Sequence, residues 1–159
     1  MPGKPLSILV IGYGNPGRGD DGLGPAFAAR LEARRLPGVA VESDYQLSIE
    51  HAHLAAQHDI VVFADAAVDI HGESPFYLRA VRPASEDHYS SHSVSPQAVL
   101  RLAAQCFGVR PSGWLLGIRP RDLESFTEGL TPEAEANLSA ALIAFCEAVE
   151  SGRLKRVRS

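Results

Sequence analysis

The chain has 159 residues, 45% hydrophobic and 21% charged, which is one domain's length with enough apolar content for its own core and excludes a disordered chain. No apolar stretch reaches the roughly 18–20 residues of a membrane span, and two cysteines, Cys106 and Cys146, do not make a disulfide framework, so a reducing cytoplasm is expected. Net charge is −4, and four of the 15 basic residues follow Glu150 with no acid after them, so the body before that tail is more acidic still and a poor partner for nucleic acid.

Met1 to Pro5 is short and polar, and the apolar run Leu6–Ile11 after it reads as a first strand, not a signal peptide, ended by Gly12–Gly14. Gly22 to Arg35 reads as a helix with Leu23, Phe27 and Leu31 on one face, broken by Pro37-Gly38. Val39–Asp44 is a second strand. Ser48 to Gln57 is a short helix with Ile49, Ala52 and Ala56 inward. Ile60–Ala64 is β-branched and continuously apolar, as suits a strand buried on both faces. Phe76–Val81 alternates in its middle, which places it at an edge. Ser95-Pro96 caps a helix to Phe107 whose stripe is Val99, Leu100, Ala103, Cys106 and Phe107. Trp114–Ile118 is a fifth strand, and Thr131-Pro132-Glu133 opens a last helix with Leu138, Ala141, Leu142, Phe145 and Val149 inward. Strands alternating with helices predict an α/β three-layer sandwich: a five-stranded, mostly parallel sheet with one antiparallel edge strand and helices on both faces. Residues 1–150 form the single domain, and 151–159 read as a basic, solvated and disordered tail.

In such sheets ligands bind beyond the carboxyl ends of the strands, where strand order switches. Three features fall there: the loop Gly12 to Gly24, Asp65 at the end of the third strand, and the long polar connection containing His88 and His92. Gly12-x-Gly14-x-x-Gly17 spells a dinucleotide loop, but Pro16 removes an amide donor and Asp20-Asp21 would repel a pyrophosphate. One acid suffices to cap a helix, so Asp20 is read as the cap and Asp21 as free for chemistry. Singly, Asp21, Asp65 and His92 are ordinary capping or solvated residues. Together, two carboxylates and an imidazole from three loops suit a divalent transition metal with open positions. His51 and His53 are expected at the surface, Cys106 and Cys146 in the core. No serine has the Gly-x-Ser-x-Gly setting of a hydrolase elbow.

Four separated motifs then carry a resemblance. The run from Ile8 to Pro25, IleLeuValIleGlyTyrGlyAsnProGlyArgGlyAspAspGlyLeuGlyPro, resembles the N-terminal signature of the [NiFe]-hydrogenase maturation endopeptidases. Phe63-Ala64-Asp65-Ala66 is similar to that family's second acidic site, and Ser91-His92 before an amphipathic helix to its histidine. Gly117-Ile-Arg-Pro120 and Gly129-Leu130-Thr131-Pro132 resemble its last strand and the opening of its last helix. The similarity spans residues 6–150 with the elements in order.

The resemblance implies a mixed five-stranded sheet flanked by helices, of the phosphorylase/hydrolase-like kind. It implies an endopeptidase that removes the C-terminal extension of a hydrogenase large-subunit precursor once nickel is inserted. By position, the family's metal ligands and catalytic residues fall on Asp21, Asp65 and His92; the first is Asp where many relatives carry Glu. The nickel would come with the precursor rather than reside in this chain, and the protein would be a cytoplasmic monomer without nucleic-acid or membrane partners. The segment Asp44–Glu50 resembles the version found in proteases serving soluble NAD-linked hydrogenases. Two other readings compete. A non-catalytic chaperone that checks nickel occupancy would use the same ligands. A peptidyl-tRNA hydrolase-like enzyme shares the opening GlyTyrGlyAsnProGly, but its histidine is missing here until His51.

Overall fold

A computed structural model describes residues 5–85 and 94–157. Its five strands are β1 (Ile8–Tyr13), β2 (Val39–Asp44), β3 (Ile60–Ala66), β4 (Phe76–Val81) and β5 (Ser112–Ile118), joined in the order β2-β1-β3-β5-β4. All pairs are parallel except β4 with β5, and β4 lies at an edge as its alternating polarity predicts. The α-helices among the described residues are α1 (Leu23–Arg34), α2 (Glu50–Ala55), α3 (Pro96–Phe107) and α4 (Pro132–Glu150), and a short 3-10 turn, Gly19–Gly22, precedes α1.

The period-two alternation of the strands divides the core. Ile8, Val10, Ile60 and Val62 point to one face and meet Leu23, Phe27 and Leu31 of α1 and Leu138, Ala141, Leu142 and Phe145 of α4. Leu9, Ile11, Val61 and Phe63 point to the other, against Ala52 and Ala55 of α2 and Val99, Leu100 and Leu102 of α3. The architecture is thus the three-layer α/β sandwich expected from the sequence. Among the described residues, no helix is long and apolar enough to cross a membrane.

Several boundaries and burials differ from expectation. β1 runs two residues past Ile11, because Gly12 and Tyr13 keep pairing with Ser43 and Asp44 of β2. A side chain on Gly12 would overlap the Gly24 carbonyl, so the glycine lets α1 lie on the strand rather than ending it. Ile49 and Phe107 are exposed, as is Cys106, so the inward faces of α2 and α3 are narrower than their periodicity implies. Both Ile49 and Phe107 lie at helix ends beyond the sheet's cover. Cys146 is in the core as expected, and its burial pushes its thiol pKa up. His51 is buried, against the surface position expected of it.

The segment after Glu150 is not free either. Leu154 is 5% exposed and joins the α1/α4 core. The Trp114 indole donates to the Lys155 carbonyl at 3.0 Å, the Val157 N–H to the Ser112 hydroxyl at 2.9 Å, and Arg156 pairs with Asp59. Residues 151–157 therefore close the amino-terminal end of the sheet. One buried leucine has no period, so a periodicity argument cannot find it.

Candidate active site

The strand order switches between β1 and β3. From β1 the chain crosses by α1 to β2 on one side, and from β2 it crosses by α2 on the opposite face to β3. The crevice of such a sheet lies at this point. The structure brings Asp21 and Asp65 here, from the 3-10 turn after β1 and from the end of β3.

The loop to Asp21 is tightly specified. Gly14 has φ +145°, and a side chain there would strike the Asp21 carbonyl. Its N–H donates to the Asp44 carbonyl at 3.1 Å. The Asn15 N–H donates to Asp21 Oδ2 at 2.8 Å, and the Gly17 N–H to Asn15 Oδ1 at 2.9 Å. The N–H groups of Arg18, Gly19, Asp20 and Asp21 are likewise taken by backbone carbonyls. A phosphate would find these amides occupied, which agrees with setting the dinucleotide spelling aside.

Asp65 sits in a different environment. Burial and the nearby Asp21 charge push its pKa up to about 7, against the Ala66 N–H, 2.8 Å from Oδ1, and a hydrogen bond from Tyr13. Burial and the Asp65 charge together hold the Tyr13 hydroxyl in its neutral form. The Tyr77 ring, whose hydroxyl donates to Asp69 at 3.1 Å, packs where Gly117 has no side chain. Tyr13 and Tyr77 are the site residues that sequence reasoning missed; Tyr13 stands inside the glycine-rich motif, but only the fold shows its hydroxyl at Asp65. Arg119 secures the loop after Asp65, donating to the carbonyls of Ser74 at 2.9 Å, Gly72 at 2.6 Å and Ile70 at 3.2 Å.

Asp20 does not cap α1; neither the 3-10 turn nor α1 has a side-chain cap. It is fully buried and points toward the loop between β5 and α4. Oδ2 accepts the N–H groups of Arg121 at 2.7 Å and Asp122 at 2.8 Å, and the Thr131 hydroxyl at 2.8 Å. Oδ1 accepts the Thr131 N–H at 2.8 Å. Burial opposes its ionisation, but these donors outweigh burial and hold the carboxyl below the usual range. Thr131 also accepts the Ala134 N–H as the cap of α4, so Asp20 fastens the last helix to the active-site loop.

Ser48, His51 and Asp44 spell a serine-protease triad in space but lack its function. The backbone N–H of Ser48 donates to His51 Nδ1 at 2.8 Å, with the Ser48 hydroxyl at 3.2 Å. The lone pair that would take a hydroxyl proton is already used. His92 lies outside the described residues, as does His88. Among the described residues, no group of three His, Cys, Asp or Glu side chains can hold a metal ion. The carboxylate pair by itself is an oxygen-donor site whose mutual repulsion a cation would relieve.

No family model and no curated protein matches the chain. Solved structures do. A [NiFe] hydrogenase maturation protease, HycI from Thermococcus kodakarensis, matches with a TM-score of 0.72 over 91% of this chain and 93% of that one; at 22% identity this likeness is one of fold. The hydrogenase maturating endopeptidase HybD from Escherichia coli is 26% identical over 92% of this chain and 94% of its own, with a TM-score of 0.70. A hydrogenase 2 maturation peptidase from a Thaumarchaeota archaeon is 26% identical over 91% and 98%, with a TM-score of 0.65. The family that the sequence motifs resemble is the one whose solved structures share this fold, and the two at 26% identity are a maturating endopeptidase and a maturation peptidase, the enzyme class the motifs imply.

Proposed function

We propose that this chain is a hydrogenase maturation endopeptidase that removes the C-terminal extension of a [NiFe]-hydrogenase large-subunit precursor, and that it recognises the nickel which the precursor already holds. The observation that carries the reading is the Asp21–Asp65 pair at the switch point. Two carboxylates close enough for one to raise the pKa of the other, with few donors to Asp65 among the described residues, are costly to ionise alone and favour a cation between them. A pair without a thiolate is a weak permanent nickel site, suited to sharing an ion that another protein grips. His92, carried over from the motif, is the third ligand in this reading.

Each residue then has a task. The Asn15 N–H orients Asp21, and the Ala66 N–H and Tyr13 hydroxyl orient Asp65. The nucleophile is water in this reading: among the described residues, the serine hydrogen-bonded to a histidine, Ser48, has no free base beside it. A carboxylate of the pair accepts the proton of the water that attacks the scissile carbonyl and returns it to the leaving amine as the C–N bond breaks; the precursor's nickel, held at the pair, would supply Lewis-acid polarisation. Four of the six exposed large hydrophobics among the described residues support a protein substrate: Tyr45, Ile49, Val68 and Phe126 all follow the carboxyl ends of parallel strands and so rim this crevice.

The test uses protein pre-treated with a chelator that is then removed. Incubated with nickel-loaded precursor, it should release the C-terminal extension, read as a mass loss; nickel-free precursor should remain intact. Asp65→Asn and His92→Ala should each fold and fail to cut. Binding without any mass loss would make the protein a nickel-checking chaperone, and equal cutting of nickel-free precursor would remove the nickel from recognition.

A further inference from the structure

Two polar side chains are buried among the described residues, Asp20 and His51. Asp20 is accounted for by its four donors. His51 is 4% exposed, and the reaction above does not use it. It stands in the first turn of α2 and takes the Ser48 N–H on Nδ1 at 2.8 Å. In the neutral ring the proton is then on Nε2, which lies 3.7 Å from Asp44 Oδ2. That is too long for a hydrogen bond and short enough for attraction. Asp44 ends β2, an edge strand whose packed side chains, Val39 and Val41, lie in its first half, while Glu42, Ser43 and Asp44 are exposed, so side-chain packing does little to hold its end. Leu47 and His51, just beyond it, are the buried residues that can.

The end of β2 in turn supports the active-site loop. The Asp44 carbonyl accepts the Gly14 N–H, and the next amide, Asn15, donates to Asp21 Oδ2. We propose that His51 is a positioning residue for Asp21: by holding Ser48 and Asp44 it fixes the end of β2 against the Gly14–Asn15 turn on which the Asp21 carboxylate rests. The inference rests on the reading of Asp21 as a functional carboxylate. Imidazole suits the place because one ring atom accepts while the other presents an N–H to Asp44. An apolar side chain would leave the Ser48 N–H without its partner.

Asparagine puts an acceptor near the Nδ1 position, and leucine supplies bulk with no acceptor. Hydrogen exchange at the Gly14 and Asn15 amides reads the positioning directly, without any substrate. In His51→Leu both amides should lose about tenfold protection while those of α4 keep theirs, and cleavage of nickel-loaded precursor should fall by about ten- to a hundredfold. His51→Asn should restore most of both. Unchanged protection in His51→Leu overturns the proposal, and so does a cleavage loss that His51→Asn does not rescue. If the leucine variant does not fold, Asp44→Asn replaces it: a loss of about threefold in protection at the same two amides supports the proposal, and none overturns it. Wild-type protein that leaves the precursor uncut refutes the endopeptidase reading instead, and the exchange measurement still decides the positioning.

Discussion

Asp65→Asn should separate what the carboxylate does for function from what it does to stability. In the folded chain its pKa is raised from 3.8 to about 7, chiefly by burial. A folded-state pKa above the unfolded one means that the native state holds the proton longer, so its stability falls as pH rises from about 4 through about 7. Three units at 1.36 kcal/mol each amount to about 4 kcal/mol lost by pH 8. Asparagine removes that penalty and keeps an oxygen for the Ala66 N–H, while its amide can donate to the Tyr13 hydroxyl. The variant should therefore be more stable than wild type at pH 8 by up to about 4 kcal/mol, or about 8–16 °C in Tm for a domain of this size, and no more stable near pH 4. Thermal unfolding across pH 4–8 in chelator measures the difference. A stability gain of the same size at both ends, or a variant less stable than wild type at pH 8, would refute the argument that burial and Asp21 make this carboxylate costly.

Three further outcomes follow from contacts on the page. Asp20→Asn should lose about 2–3 kcal/mol of stability in denaturant titrations, because the amide would turn N–H groups toward the Thr131 N–H or toward the Arg121 and Asp122 amides; a variant as stable as wild type would mean that Asp20 is no fastening. Leu154→Ala should cost about 2–3 kcal/mol, and truncation after Glu150 at least as much, by the same measurement; an unchanged truncation would show that the segment merely rests on the sheet. Arg30→Ala, which breaks the exposed pair with Glu135 across α1 and α4, should move stability by no more than about 1 kcal/mol.

What the sequence disclosed and what it hid divide by range. β2, β4 and α3 lie where turn residues, β-branched runs and the Ser95-Pro96 cap place them, because those signals act over a few residues. The position of Asp21 and Asp65 at the crevice was legible because one lies in the turn after β1 and the other in the last two residues of β3, and topology alone makes the switch point a crevice. Asp20 was misread because capping is a local rule, while its donors lie 101, 102 and 111 residues away. His51 was misread because a helical wheel shows direction but not the Ser48 amide and Asp44 carboxylate waiting at the helix start. The docked segment at 151–157 rests on one leucine, one indole, one backbone amide and one ion pair, none of which forms a pattern.

Asp20 is buried and Asp65 is partly so, and the fold treats them in opposite ways. Four donors converge on Asp20, so its pKa falls and its contribution to stability is present above the ordinary carboxylate range, to be lost only as pH drops through its lowered value. Among the described residues Asp65 receives one backbone N–H and one tyrosine hydroxyl beside a like charge, so its contribution runs the other way and weakens the fold from about pH 4 to about pH 7. From these two groups alone, chelator-treated protein should be most stable near pH 4, with stability falling as pH rises from there toward about 7 and as it drops below about 4. Asp65→Asn should flatten the alkaline flank alone, and Asp20→Asn should flatten the acid one. His58, whose pKa burial lowers, adds stability as pH rises through the same range, so the difference between wild type and Asp65→Asn is what isolates Asp65: a gap in Tm that does not widen from pH 5 to pH 8 would show that the donors around Asp65 already satisfy it, leaving nothing in the pair for a cation to relieve.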